Sequence, residues 1–184
     1  MKILFSRARL ALLLLPLLLP SCLLPMIIRD PRHVPFNESE FAGYGAPGSG
    51  SVSGQLVVNI GGQSYIGNGS SITLVPVTAY TQEMVDRELG NGALLVSADP
   101  RLKQYVRKAR ADSNGNFTFQ QVPAGNYFVA GVAGYNDMSN DNNYVYQWGF
   151  ERVTVGKGQN VRIQLTRNPA SPNAHAMTDK WTAD

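Results

Sequence analysis

The stretch ADSNGNFTFQQVPAGNYFVAG, from Ala111 to Gly131, contains two turn signals and two alternating strand patterns. Asn114-Gly115 predicts a type I′ hairpin turn, because both central residues of that turn need positive φ. Pro123 and Gly125 predict a second turn, since proline pre-sets φ and glycine tolerates positive values. Beyond it, apolar residues occupy both faces of the strand, which is typical of an interior strand in a two-layer β domain. We expect four side chains to point into its core: Phe117, Phe119, Tyr127 and Val129.

This stretch resembles the central motif of carboxypeptidase regulatory-like (transthyretin-like) domains, D-x-x-G-x-F-x-F-x-x-(L/V)-P-x-G-x-Y, with matches from Asp112 to Tyr127. The resemblance covers residues 51–167. It implies an all-β fold, a single transthyretin-like Greek-key β-sandwich of about seven strands with one or two short inserted helices. It says little about function, because the family is a structural and binding module attached to many activities. Further matches are Val52–Gln55, Ser71–Pro76, Arg152–Gly156 and Asn160–Leu165.

The amino terminus has the design of a secretory signal: a basic region followed by the leucine-rich run from Leu10 to Leu19. Leu19-Pro-Ser-Cys22 resembles the bacterial lipobox, so we expect residues 1–21 to be a lipoprotein signal peptide and Cys22 to carry the lipid (palmitate). Cys22 is the only cysteine in the chain and cannot form an internal disulfide. Leu23 stands where an aspartate would retain such lipoproteins at the inner membrane, and the resemblance therefore implies the outer membrane.

Two other interpretations of the amino terminus stay open. Residues 10–28 are about long enough to span a bilayer as an uncleaved anchor. Prolines at 16, 20 and 25 weaken that helix, because each removes a backbone donor. A plain cleaved signal is the third possibility. All three export the domain from the cytoplasm.

The basic pI of about 9.1 belongs to this segment. Lys2, Arg7 and Arg9 lie within it, and without these three of the 16 basic residues, 13 basic residues face 13 acidic ones. The remaining chain has no net charge with which to attract a polyanion. We therefore expect no nucleic-acid partner.

The regions that flank the sandwich predict little order. Residues 22–50 are rich in Pro, Gly and Ser, which indicates a flexible tether that would hold the domain on the order of 30 Å from the membrane. Residues 168–184 are predicted to be a flexible tail. Within the sandwich, Thr81–Leu89 predicts a short helix with Thr81 as its N-cap. Asp99-Pro100 predicts the start of a second helix that extends through Ala109.

Catalytic and metal-binding patterns are lacking in the sequence. The chain has two histidines, His33 and His175, both in segments predicted to be flexible, and such segments cannot hold catalytic geometry. No His-x-x-Glu zinc motif occurs. The run Asn136–Asn143 is dense in oxygen ligands but lacks the EF-hand order. We expect no enzyme activity, no metal and no cofactor.

Four aromatic residues are the candidate ligand-binding set: Tyr135, Tyr144, Tyr146 and Trp148. If the loop from Asn136 to Gln147 exposes them, they could stack on sugars or grip an extended peptide. The alternative is that the last three, two residues apart, form one face of a strand packed on the core. The sequence thus predicts a membrane-anchored envelope lipoprotein that is a non-catalytic binding or structural module. Its alternatives are an accessory subunit that docks onto a larger envelope assembly through a sheet edge, or a carbohydrate-binding module.

Overall fold

The computed structural model describes residues 29–137 and 143–166. Cys22, the predicted signal peptide and the predicted tail lie outside these residues. The described residues contain eight strands in two sheets of four, one strand more than the expected seven, and the predicted all-β sandwich with short helices is confirmed. The strands are β1 (Gly50–Ile60), β2 (Gln63–Ile66), β3 (Ser71–Pro76), β4 (Arg107–Arg110), β5 (Asn116–Val122), β6 (Gly125–Asp137), β7 (Asn143–Val155) and β8 (Asn160–Leu165).

Strand β1 organises the first sheet, and β6 lies inside the second. β1 pairs antiparallel with β2 and β5 and parallel with β8. The second sheet has the order β4-β3-β6-β7 and is antiparallel throughout. β6 is therefore an interior strand, as its apolar residues on both faces predict.

The two predicted turns are corners between sheets and not hairpins. The Asn114-Gly115 turn leads from β4 in the second sheet to β5 in the first, and the Pro123 turn leads back to β6. In the first of these turns, Gly115 has positive φ (+77°) but Asn114 does not, so the turn is not type I′. The Gly115 N–H donates to the Asp112 carbonyl at 2.9 Å. A two-residue turn with positive φ at both central positions instead joins β1 and β2, at Gly61 and Gly62 (φ +61° and +87°).

The inner core lies between the two sheets. The four residues predicted to point into it are 0–5% exposed. Tyr127 donates its hydroxyl proton to the Pro123 carbonyl at 2.8 Å, and burial raises the pKa of this hydroxyl to about 12. This bond links the Pro-x-Gly-x-Tyr sequence to its corner. The buried members of the inner core are Val52, Leu56, Val58, Ile72, Leu74, Ala111, Phe117, Phe119, Val122, Tyr127, Val129, Ala133, Val153, Val155 and Leu165.

A helical insert, residues 79–105, covers the outer face of the second sheet. Helix α1 (Ala79–Met84) continues as a π-helical segment (Val85–Gly90), and a 3₁₀ helix follows at Pro100–Tyr105. The N-cap of α1 is Thr78 and not Thr81 as predicted. Thr81 is its reciprocal partner in a capping box, which explains why the sequence suggested it. Asp99 caps the 3₁₀ helix as predicted, but that helix ends at Tyr105 and Ala109 lies in β4.

The part of the predicted tether that the structure describes is packed and not flexible. We call residues 30–41 the N-terminal segment. Asp30 forms a parallel bridge with Leu95 of the insert, and a 3₁₀ turn at Glu38–Phe41 buries Phe41 completely. Farther along, Tyr44 packs edge-on against Tyr127 with ring centroids 5.3 Å apart. The Pro/Gly composition therefore marks irregular backbone here, not a mobile linker.

The N-terminal segment and the helical insert enclose a second group of buried side chains, which we call the outer cluster. It packs on the face of the second sheet that points away from the inner core. Its buried members are Phe41, Val75, Tyr80, Met84, Leu89, Leu102, Phe128, Ala130 and Trp148.

Candidate ligand pocket

A pocket of about 340 Å³ lies where the N-terminal segment meets the helical insert. This volume is at the low end of the range of about 300–1,000 Å³ for small-molecule sites. Its walls come from segments that are far apart in sequence, which the packing of the N-terminal segment brings together. The lining residues are Arg32, His33, Val34, Pro35, Phe36, Tyr80, Ser97 and Asp99.

The aromatic residues of the pocket are fixed by their neighbours. Phe36 stacks on Phe41 with ring centroids 4.8 Å apart and packs edge-on against Tyr80 at 5.4 Å. Tyr80 is 2% exposed, and its hydroxyl accepts the N–H of Asp99 at 2.7 Å. The Arg101 guanidinium also lies over the Phe36 ring, with Cζ 4.6 Å from the ring centre. The Phe36 ring is therefore held in one orientation by Phe41, Tyr80 and Arg101.

Arg32 supplies the positive charge of the pocket. Its guanidinium lies 5.0 Å from the centre of the Tyr80 ring. Nη2 donates to the Val96 carbonyl at 2.9 Å and Nε to the Ser97 carbonyl at 3.3 Å. Nη1 is buried and has no hydrogen-bond partner among the described residues. Buried donors normally have a partner, so Arg32 has hydrogen-bonding capacity that the described chain does not use.

Asp99 supplies the negative charge. Arg101 donates Nε to Oδ1 at 3.0 Å and Nη2 to Oδ2 at 2.8 Å, and its backbone N–H also donates to Oδ1. These bonds lower the pKa of Asp99 to about 2, so the carboxylate is ionised at neutral pH. An ionised carboxylate has about four acceptor sites, and Arg101 occupies three of them, which leaves about one site for a donor on a ligand.

Glu83 lies behind the pocket and fixes the N-terminal segment to α1. Its carboxylate accepts the N–H groups of His33 at 2.7 Å and Val34 at 3.0 Å, and Arg87 donates to it at 3.1 Å. Burial alone would raise the pKa of Glu83, but these donors outweigh it and the pKa is lowered. The segment that carries Arg32 and Phe36 is thus held at its backbone by an ionised side chain.

The predicted aromatic set does not form one surface. Tyr146 and Trp148 lie on β7, on the outer face of the second sheet, where Trp148 is 9% exposed within the outer cluster and Tyr146 packs against it. Tyr135 lies on the opposite face of β6 and stacks on Tyr65 of β2 at 4.7 Å. Tyr144 belongs to β7, where its backbone pairs with Asn136, and its side chain is outside the described residues.

Most of the predicted loop from Asn136 to Gln147 is strand. β6 extends to Asp137 and β7 begins at Asn143, so only residues 138–142 fall between them, and these lie outside the described residues. The alternating Tyr and Trp positions reflect the two-residue period of a strand. Tyr146 and Trp148 follow the alternative of a strand face packed on the core.

Sequence reasoning missed the pocket residues for identifiable reasons. Asp99 was recognised only as a helix cap, and Arg32 and Phe36 fell within the predicted tether. The available signal was the group of large apolar residues Val34, Phe36 and Phe41 in a segment otherwise rich in proline and polar residues. Two phenylalanines within six residues are unusual for a freely mobile linker, because such segments contain few aromatic residues.

The described residues contain neither a metal-binding cluster nor a membrane-spanning helix. No group of three or more His, Cys, Asp or Glu side chains is arranged to hold a metal ion in residues 29–137 and 143–166. Over the same residues, no helix is long and apolar enough to cross a membrane.

Comparisons with known proteins give similarity at the level of structure. No family model and no curated protein matches the sequence. A candidate carbohydrate-binding protein from Pseudomonas aeruginosa has a similar crystal structure, with a TM-score of 0.62 and 26% identity over 72% of this chain and 97% of that one. Two pilins are more distant. The major pilin subunit of Bacillus cereus has a TM-score of 0.40 and 15% identity over 66% of this chain and 30% of that one. The minor pilin of Streptococcus agalactiae has a TM-score of 0.34 and 16% identity over 67% of this chain and 46% of that one.

Proposed function

We propose that this chain is a non-catalytic carbohydrate-binding module of the bacterial envelope, attached to the membrane by a lipid on Cys22. The observation that carries the proposal is the structural similarity to the Pseudomonas aeruginosa protein, which extends along 97% of that chain with a TM-score of 0.62. The central motif from Asp112 to Tyr127 supports placing the sandwich among carboxypeptidase regulatory-like domains, which serve as binding modules.

The chemistry of the pocket suits a sugar. A sugar can contact the partly exposed Phe36 ring, whose faces are already in contact with Phe41 and the Arg101 guanidinium, while its hydroxyl groups can both donate and accept hydrogen bonds. Asp99 is an ionised acceptor, and Arg32 is a positively charged side chain that lines the pocket. Hydrogen bonds to charged groups contribute about 1.5–3 kcal/mol each, about twice the usual value.

We propose binding without hydrolysis because of the number of carboxylates that line the pocket and the low pKa of Asp99. Glycoside hydrolases commonly place two carboxyl groups on either side of the scissile bond. Among the eight residues that line the pocket, Asp99 is the one carboxylate, and Arg101 holds both of its oxygens. Its pKa of about 2 makes it a poor general acid at neutral pH, since a catalytic acid needs a raised pKa.

A glycan array tests the binding site. The chain from residue 29 onward, made without the lipid, is expected to bind a defined set of glycans. Asp99→Asn keeps a helix-capping side chain but removes the charge, and we expect at least a tenfold loss of affinity. Asp112→Asn is the matched control, because Asp112 also accepts backbone N–H groups in a turn but lies outside the pocket.

Phe36→Ala and Tyr135→Ala distinguish the pocket from the aromatic pair Tyr65–Tyr135. We expect the first to abolish binding and the second to leave it unchanged. Thermal unfolding of each variant checks that the fold is retained. If Tyr135→Ala removes binding and Phe36→Ala does not, the sugar binds at the other end of the sandwich and the pocket assignment is wrong.

The lipid anchor has its own test. Cys22→Ser should move the protein from the detergent phase to the soluble fraction or leave an uncleaved precursor. Unchanged processing and membrane partition in this variant would contradict the anchor.

A further inference from the structure

Two of the three exposed large hydrophobic side chains of the described chain are neighbours. Leu94 and Val96 are each 38% exposed, and the third, Ile66, lies on β2 of the first sheet. Leu95 between them is fully buried, so Leu94 and Val96 point to the same side of an extended stretch. We call this pair the 94–96 ridge. It is an apolar projection on the surface of the helical insert.

The ridge lies where the chain enters the domain. The Asp30 N–H donates to the Leu94 carbonyl at 2.7 Å, and the Val96 N–H donates to the Asp30 carbonyl at 2.9 Å. Arg32 fixes the same stretch through the Val96 carbonyl. Asp30 and Arg32, near the start of the described residues, are therefore bonded directly to the ridge.

The distance from this point to the predicted lipid is short. Asp30 follows Cys22 by eight residues, which span at most about 28 Å when fully extended. A flexible chain of that length has an average span of about 16 Å. This is about half of what a tether of residues 22–50 would allow, because residues 30–49 are packed on the domain.

The sequence of the connection is apolar. Between Cys22 and Arg29 the sequence is Leu-Leu-Pro-Met-Ile-Ile, with no charged or hydrogen-bonding side chain. Apolar side chains of this kind favour the boundary between headgroups and acyl chains over water. The next residue, Arg29, is exposed and has the positive charge that anionic headgroups attract.

We infer that the 94–96 ridge rests on the surface of the bilayer that holds the Cys22 lipid, so that the domain lies directly on the membrane. The inference rests on the proposed lipid anchor. Because Ser97 follows the ridge and lines the pocket, a bound glycan would lie near the same membrane surface.

Site-specific fluorescence on the full lipidated protein tests this surface. Because the lipid occupies the thiol of Cys22, Leu94→Cys and Val96→Cys each provide a single reactive thiol for an environment-sensitive dye. The matched control is Ile66→Cys, an exposed apolar position on the other sheet. Each protein is reconstituted in phosphatidylethanolamine/phosphatidylglycerol vesicles with and without lipids that carry a quenching nitroxide.

We expect blue-shifted emission and at least twofold quenching by nitroxide lipids at positions 94 and 96, with water-like emission and no quenching at 66. Intact mass is measured on the same samples to show the lipid on Cys22. Water-like emission at 94 and 96 in a chain that carries the lipid would overturn the ridge proposal and leave the anchor intact. Blue-shifted emission without nitroxide quenching would also overturn it, because residues 23–28 or a second copy would then cover the ridge. A mass without the lipid would overturn both.

Discussion

The inner core and the outer cluster bury comparable side chains but are made from different kinds of chain. Nearly all members of the inner core lie on strands, where every second residue points inward. The outer cluster instead places residues of the N-terminal segment and the helical insert, such as Phe41 and Leu102, over one face of the second sheet. The pocket lies in this second layer. The sandwich therefore supplies the scaffold, while irregular segments packed on its outer face supply the candidate site.

The largest expected effects test whether the two regions are equally part of the fold. Phe119→Ala in the inner core and Phe41→Ala in the outer cluster should each destabilise the protein by about 3–5 kcal/mol through lost burial and cavity formation. Both side chains are at most 5% exposed. Urea unfolding measures the two changes. A cost below about 1 kcal/mol for Phe41→Ala alone would mean that the N-terminal segment is not held on the domain.

The next effect concerns the corner before β5. Gly115 has φ +77°, and a Cβ there would lie 2.6 Å from the Leu56 carbonyl oxygen. Gly115→Val should therefore cost about 1–3 kcal/mol, the range for strained backbone positions. Gly43→Val is the control next to the N-terminal segment, since nothing lies within 4 Å of its Cβ position. Equal melting temperatures for the two variants would show that the corner is not constrained.

A smaller effect is expected where the two layers are joined by Glu83. Glu83→Gln places an amide donor among the N–H groups of His33, Val34 and Arg87, so one hydrogen bond is lost and should cost about 1–3 kcal/mol. Glu151→Gln at an exposed position of β7 should stay within about 0.5 kcal/mol. Chemical denaturation compares them. The assignment of Glu83 as the link fails if both variants match the wild type.

The smallest effect is a dependence on pH. Arg101 lowers the pKa of Asp99, and Asn116 lowers that of Asp112. A carboxyl group whose folded pKa is below its unfolded value binds more protons when unfolded, so its contribution is complete above pH 4 and is lost as the pH falls toward 2. Asp99→Asn and Asp112→Asn should each reduce the drop in melting temperature between pH 5 and pH 2.5, and the double variant should reduce it more. An unchanged drop in Asp99→Asn would contradict the lowered pKa.

The sequence predicts the inner core well because its signal is local. Phe117, Phe119, Tyr127 and Val129 alternate with polar or small residues, and one two-residue period is enough to assign their face. The sequence predicts the positions of both turns correctly. It does not predict that each turn joins two strands of different sheets. Turn chemistry at Gly115 is set by backbone φ, which is similar whether the next strand pairs with the previous one or crosses to the other sheet.

The outer layer could not be predicted in the same way. Phe36 and Phe41 follow neither the helical nor the strand period, and the prolines around them are typical of linkers. Their burial depends on contacts with Tyr80 and Tyr105, which lie dozens of residues away. The pocket consequently forms from long-range packing that no local pattern encodes. Tyr135 and Trp148, which the pattern did suggest, lie on opposite faces of the second sheet.

Amide chemical-shift mapping with the tightest-binding glycan from the array tests most directly whether carbohydrate binds in the pocket between the N-terminal segment and the helical insert. We expect chemical-shift changes on glycan binding to cluster at His33, Phe36, Ser97 and Asp99 and to disappear in Asp99→Asn. Shifts that cluster at Tyr65 and Tyr135 instead, or an array on which the chain binds no glycan, would contradict it.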